Sequence, residues 1–334
     1  PMPAECVGKQ DFVKIDTGFG VDPDSGFPNG LGAPRGIDID RNGTLDYAYA
    51  GDTFGNFFRF DLRSSNFNDW TVTKIFEAQY EDTEGNVTQQ PITTRPIVTE
   101  VLGVDGLIVI FATGSYITIP DGRNKDIQSI YGLFERFSPA LIDIDDMVQQ
   151  RYLNVSSEQF GNVRILTANE VDFTPSGGAK GWYNHLDTVA QGGNQLLDDP
   201  EFPGEKAIRN IQLRGGLAFV NSIIPRSDTS CVDVAGGFAL SFCPATGGSN
   251  CLDDGAIFDL DNDGNFDFVD DDGNQAAVAG VRFEDAVPTD SSFIEDKRVT
   301  QLSDKSLDII GTNTDNNRST GPLSWKELDT VDFD

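Results

Sequence analysis

The sequence predicts an all-β fold of radial, propeller-like architecture. Three observations carry that expectation. Residues 34–78 hold about four short strands in roughly 45 residues, the length of one propeller blade. Further strand sets recur along the chain at similar spacing. No long amphipathic helix, coiled coil or low-complexity tract interrupts them. A four-stranded sheet cannot bury both faces alone, so such sheets stack around an axis. Three sets are clear and one or two more are partial, which suggests a ring not completed within this chain.

Taken in order, Phe12–Asp16 reads as a strand, followed by a Gly/Asp/Pro-rich loop. An acidic loop and then Tyr47–Ala50, a turn at Gly51–Gly55, Asn56–Asp61 and Trp70–Phe76 make the first set. Residues 77–90 are polar and read as loop. Pro91–Thr99, the continuous apolar run Leu107–Thr113 and Ile127–Phe137 make the second set. A short helical insertion is expected near 138–153: Ser138-Pro139 and Asp143/Asp145 are helix-start residues, which places the helix at Asp145–Tyr152. Val163–Phe173 and Gly181–Leu186 return to strand character. Lys206–Leu213, Leu217–Ile224 and Gly237–Cys243 make the third set. Residues 270–300 are poorly patterned apart from Ala277–Phe283, and Ser306–Gly311 and Trp325–Leu328 are the last strands expected.

Composition narrows the function. The 334 residues suffice for one large domain, and 24 Phe with 38% hydrophobic residues support a sizeable core. Acidic residues number 54 against 24 basic, a net charge of −30. Nucleic acid is excluded as a natural partner, because phosphate contact needs Lys/Arg surfaces. Anionic membrane surfaces are disfavoured for the same reason. No apolar run is long enough to span a bilayer, and no signal peptide is evident. The chain starts at Pro1 without Met, which reads as a processed chain, a fragment or part of something larger.

The most specific motif occurs twice. Asp38-Ile-Asp40-Arg-Asn42-Gly43-Thr44-Leu45-Asp46 places oxygen side chains at positions 1, 3, 5 and 9 with Gly at 6. Asp259-Leu-Asp261-Asn-Asp263-Gly264-Asn265-Phe-Asp267 repeats the arrangement. Ca²⁺ is a hard ion that takes six to eight oxygens, and the Gly permits the turn that aims alternate side chains inward. The expected ligands are Asp38, Asp40, Asn42, the Thr44 carbonyl and Asp46 in one loop, and Asp259, Asp261, Asp263, Asn265 and Asp267 in the other. Neither loop is a full EF-hand. Position 12 is Tyr49 or Asp270 instead of Glu, and strand-like sequence follows each loop. The competing reading is an Asx-rich turn that binds nothing. Repetition of the spacing favours two Ca²⁺ sites.

Four cysteines are present. Three of them cluster in Gly- and Ser-rich sequence, which favours disulfides and an oxidising compartment. Residues 236–243 read as a strand of roughly 25 Å, which sets Cys231 far from Cys243. Cys243 with Cys251 closes a short loop and is the first choice; Cys6 with Cys231 follows. Catalysis has little support. His185 is the sole His, no G-x-S-x-G elbow exists, and no carboxylate pair stands out. Trp70, Trp182 and Trp325 could line a carbohydrate- or protein-binding surface, but most aromatic residues fall in alternating strand runs and read as core.

Several segments together carry a family resemblance: DIDRNGTLDYAYAGDTFGNFFRFDL, LIVIFATGSYI with SIYGLFERF, GWYNHL, LRGGLAFVNSIIPRSDTSC, FDLDNDGNFD and SWKEL. In this order they cover most of the chain, which resembles the C-terminal domain of the PilC/PilY family, the tip-associated adhesins of bacterial type IV pili. The resemblance implies a single C-terminal domain over 1–334, an all-β modified β-propeller with quinoprotein-like blades, at the end of a long secreted protein. It implies that the loop Asp38–Asp46 binds calcium and controls pilus extension and retraction, with Asn42 where an Asp is common. It also implies a place outside the cytoplasm of a Gram-negative bacterium, at the pilus tip, outer-membrane surface or periplasm. The implied partners are minor pilins or a tip complex, the remainder of the same polypeptide and a surface ligand. The family's often adhesive N-terminal half has no counterpart in this sequence. The blade phrase AGDTFGNFFRFD is similar also to blades of pyrroloquinoline-quinone dehydrogenases, an alternative enzymatic reading.

Overall fold

The computed structural model describes residues 13–314 apart from 22–25, 102, 175–177, 187–201, 226–234, 250, 252–255 and 272. Strands β1 (Arg35–Ile37), β2 (Tyr47–Gly51), β3 (Asn56–Asp61) and β4 (Thr71–Glu77) form an antiparallel meander in chain order. This is the first blade that the sequence predicts. A ribbon of β5 (Gln79–Glu81) and β6 (Val87–Gln89) follows, where a plain loop was expected. Asp82 makes the difference, since its Oδ1 accepts from the Asn86 backbone and closes the hairpin turn.

The second sheet contains β7 (Ile97–Glu100), β8 (Leu107–Ala112) and β9 (Ser129–Glu135). Chain order then gives β10 (Val148–Gln150), β11 (Tyr152–Ser157), β12 (Gly161–Leu166) and β13 (Gly181–His185). β10 and β13 complete the second sheet, in the order β10-β13-β9-β8-β7. The expected helix at Asp145–Tyr152 does not form. Its start signals are used up in one 3₁₀ turn, Ile144–Asp146, capped by Asp143. Val148–Gln150 then pairs in parallel with Trp182–Asn184. The sheet edge satisfies the backbone of this segment, so tertiary pairing overrides the local helix signal.

The third sheet gathers β14 (Gln212–Arg214), β15 (Leu217–Asn221) and β16 (Gly237–Phe242). After β17 (Phe258–Asp259) and the ribbon β18 (Phe268–Asp271) with β19 (Asn274–Ala277), strand β20 (Gly280–Phe283) joins that sheet. Its order is β11-β12-β20-β16-β15-β14. Strands β21 (Pro288–Ile294), β22 (Lys297–Leu302) and β23 (Leu307–Thr312) pair with β17 as the fourth sheet, β17-β23-β22-β21. Of the first expected strand, residues 13–16 join no sheet; Phe12 and Trp325–Leu328 lie outside the described residues.

One apolar cluster joins the second, third and fourth sheets through Ile110, Trp182, Phe219, Leu240 and Phe258. A second joins the first and second sheets through Phe57, Phe76, Phe111 and Tyr131, with Phe57 stacked on Phe111 at 4.1 Å between ring centroids. Two ion pairs are buried against these clusters. Arg59 donates to Glu135 at 2.9 Å between the first two sheets. Arg164 of β12 in the third sheet meets Glu205, from the segment before β14, at 2.6 Å, with both side chains fully buried. A disulfide joins Cys243 and Cys251, with Cα atoms 5.5 Å apart. Cys6 and Cys231 lie outside the described residues. Among the described residues there is no α-helix, and no helix is long and apolar enough to cross a membrane.

Candidate metal centres

Both acidic loops leave a short strand and end at the start of the next. The loop at 38–46 connects β1 to β2, whose antiparallel register pairs Ile37 with Tyr47. The loop at 259–267 leads from β17 to β18. One backbone hydrogen bond closes each at the same place: Asp46 N donates to Ile37 O, and Asp267 N to Phe258 O.

Inside, the two loops share their principal hydrogen bonds, differing in that Asp38 Oδ1 also accepts from Asn42 N at 3.2 Å while Asp259 Oδ1 has no partner. Position 9 accepts at its Oδ2 from the backbone N–H of position 2, Ile39 to Asp46 at 2.8 Å and Leu260 to Asp267 at 2.6 Å. Position 1 accepts from the Gly at position 6, Gly43 to Asp38 at 2.8 Å and Gly264 to Asp259 at 3.3 Å. Position 3 accepts from the position 5 N–H, at 3.1 Å in each loop. Arg41 and Asn262 at position 4 take φ of 58° and 59°, and Gly43 and Gly264 take 88° and 91°. Two left-handed residues in three are what turn the chain sharply enough to gather carboxylates, and Gly bears this without a Cβ penalty.

The result is two carboxylate triads. Oxygens of Asp38, Asp40 and Asp46 lie within 4.8 Å of one another, as do those of Asp259, Asp261 and Asp267. In each triad position 1 is buried and position 3 exposed. Positions 5 and 7 stay outside the triads and bond each other. Thr44 N donates to Asn42 Oδ1 and Asn265 N to Asp263 Oδ1. Burial pushes the Asp267 carboxyl up, and the charges of Asp261, Asp259 and Asp263 add to that. Exposed Asp263 is lowered by the Asn265 backbone and side-chain donors. Tyr49, at position 12 of the first loop, is buried in β2 and makes no ligand.

The donor set fits a hard cation. It is all oxygen, with no His or Cys in either triad, which suits Ca²⁺, Mg²⁺ or Mn²⁺ over Zn²⁺ or Cu²⁺. One observation within the second loop points the same way: Asp259 Oδ1 is buried and has no hydrogen-bond partner. A buried, unpaired carboxylate oxygen is costly unless something positive meets it. Sequence reasoning missed Lys297, whose Nζ donates to Asn262 Oδ1 at 2.8 Å and lies 4.0 Å from Asp259 Oδ2. It stands thirty residues beyond the loop, in β22, and only the strand register brings it there.

The other singled-out residues lie elsewhere. His185 is buried in β13, with Nδ1 2.7 Å from Ser129 Oγ and its ring edge-on to Tyr80. Burial, with Arg151 nearby, pushes it down to about 3, so it stays neutral. Trp182 is fully buried core, its N–H donating to Pro244 O. Trp70 is half-buried and donates to Ser64 O.

Comparison with known proteins agrees with the architecture. Residues 14–142 match the family model of the PilY1 β-propeller domain. The crystal structure of the Pseudomonas aeruginosa PilY1 C-terminal domain superposes with a TM-score of 0.67 over 88% of this chain and 62% of that one, at 24% identity. The fold of this chain is that of the PilY1 C-terminal β-propeller domain. The type IV pilus biogenesis factor PilY1 of P. aeruginosa strain PAO1 is 28% identical over 274 residues, 72% of this chain. A PilY1 homolog of Xylella fastidiosa is 28% identical over 254 residues, also 72% of this chain. The chain spans only 22% and 15% of the lengths of these two PilY1 proteins.

Proposed function

We propose that residues 1–334 form a single calcium-binding propeller domain of a type IV pilus biogenesis factor. It works outside the cytoplasm, with minor pilins or a tip complex and the remainder of its polypeptide as partners. In this reading calcium governs pilus extension and retraction, and the domain supports surface attachment to a ligand. The observation that carries the calcium assignment is the shared turn and hydrogen-bond scheme of the two loops, each gathering three carboxylates. The pilus assignment rests on the likeness to PilY1, and the Cys243–Cys251 disulfide supports an oxidising compartment.

Bound calcium would supply positive charge and oxygen coordination to groups that otherwise repel. Asp38, Asp40 and Asp46 would hold it in the first loop, with Asn42 and the Thr44 carbonyl. Asp259, Asp261, Asp263 and Asp267 would hold it in the second, with Asn265. Asp46 bonds Ile39 N and immediately precedes β2, so a fixed Asp46 fixes the entry to the first sheet. Asp267 does the same for β18 through Leu260 N.

The test is calcium titration by calorimetry of chelator-stripped protein beside Asp46→Ala and Asp267→Ala. Two binding events are expected in the parent and one in each variant, with dissociation constants of about 10⁻⁴–10⁻³ M as in extracellular modules. Absence of heat at millimolar calcium would reduce both loops to turns. Normal pilus assembly and retraction in cells carrying both substitutions would defeat the regulatory part alone.

A further inference from the structure

The two loops share a backbone but not an electrostatic setting. In the fourth sheet, Gly311 of β23 pairs with Asp259 on one side and with Lys297 on the other. Side chains in one cross-strand row share a face of the sheet. Gly311 has none, and a Cβ there would come within 2.8 Å of the Asp259 Cβ. The row is therefore Asp259, a gap, and Lys297. The Lys297 side chain uses that gap to reach the loop, where it donates to Asn262 Oδ1 at 2.8 Å and lies 4.0 Å from Asp259 Oδ2. The first loop has no cation bonded into it in this way. Arg41 stands at position 4, where the second loop has Asn262, but it is exposed; Arg63 acts on Asp46 only through space, its guanidinium being bonded to Asp61, and among the described residues no ion pair reaches Asp38, Asp40 or Asp46.

We propose that Lys297 is a tethered counter-ion of the second loop that competes with an incoming divalent cation and sets that loop's affinity below that of the first. This rests on the calcium reading of the loops. The second loop carries four carboxylates, one of them with the buried, unpartnered Asp259 Oδ1. Without a divalent ion, the Lys297 ammonium relieves part of their repulsion. A divalent cation held by Asp259 would stand close to that ammonium and repel it. Lys297 is about a third exposed, so its head can leave for water while its stem stays on the sheet. The chain would then have two thresholds: one loop filled at low calcium, and one filled only when calcium is high enough to displace the lysine.

The test isolates the second loop in an Asp46→Ala background and titrates calcium by calorimetry with Lys297, Lys297→Met or Lys297→Arg. Removing a charge about 4 Å from a ligand oxygen should tighten binding on the order of tenfold. Arg should hold the affinity near the parent value. As an independent readout, amine acylation of Lys297, followed by mass spectrometry, should speed up when calcium is added to the Asp46→Ala protein. Equal affinities for Lys and Met would overturn the counter-ion role and leave the calcium reading intact. No heat from the second loop with either residue would overturn both.

Discussion

His185 shows how a single residue's surroundings become a property of the fold. Its ring is buried between Ser129, Tyr80 and Tyr183. Gln90 Nε2 donates to Ser129 Oγ, and that hydroxyl is placed to donate onward to His185 Nδ1. With Ser129 as that donor, the ring proton is on Nε2. Burial holds the folded pKa at about 3 against an ordinary 6.5. Between those values the unfolded chain takes up a proton that the native chain refuses. Stability from this residue is therefore complete above about pH 6.5 and falls as pH drops toward 3, by about 1.4 kcal/mol per unit. Urea midpoints at pH 7 and 4.5 should show the parent losing about 2–3 kcal/mol more than His185→Gln, which shares every other titrating group. Parallel losses would mean that His185 charges within the fold. The sequence marks His185 only as the sole His at a strand end, and nothing local announces the network that neutralises it.

At the scale of elements, strands that alternate apolar residues are legible and strands that bury polar ones are not. Three of the four strands of the first sheet are read from the sequence, because Tyr47, Tyr49, Phe57, Phe58, Ile75 and Phe76 are its buried positions, while the short β1 carries no such run. Residues 270–300 look patternless because β21 and β22 turn Ser291, Arg298 and Thr300 inward. Arg298 bonds Asn221 and Ser291 in that layer, and burial pulls its pKa down to about 9. A polar interior of this kind leaves no period-2 hydrophobic signal to read. Loop chemistry is local and therefore visible: the two acidic motifs and the short Cys243–Cys251 spacing are read directly from the sequence. Lys297 is not, since its position depends on the register of three strands. The disulfide pins the end of β16, in the third sheet, to the segment that leads toward β17. Closing so short a loop should stabilise the fold by about 2–3 kcal/mol by chain entropy. Cys243→Ala with Cys251→Ala should lower the unfolding free energy by that amount at pH 7, with little change in the denaturant slope. A variant as stable as the parent would show that the closed loop constrains nothing beyond what packing already holds.

For the whole molecule the dominant quantity is charge. At −30, folding brings many carboxylates closer than they are in the unfolded chain, and the two loops concentrate seven of them. Screening by salt and coordination by calcium both relieve that repulsion, but they scale differently. Monovalent salt acts on the whole surface through the Debye length and saturates gently. A cation bound at a site stabilises by RT ln(1 + [L]/Kd). At 10 mM calcium and a Kd of about 10⁻⁴–10⁻³ M, this is about 1.4–2.7 kcal/mol per loop. Thermal unfolding in 10 mM CaCl₂ should therefore exceed that in NaCl of equal ionic strength by several degrees. MgCl₂ should fall between the two, because Mg²⁺ is smaller and gives up its water reluctantly. The Asp46→Ala, Asp267→Ala double variant should keep the NaCl response and lose the calcium excess. If NaCl alone reproduces the calcium shift, the charge is a matter of solubility and screening, and the loops are not the points at which calcium acts on the propeller.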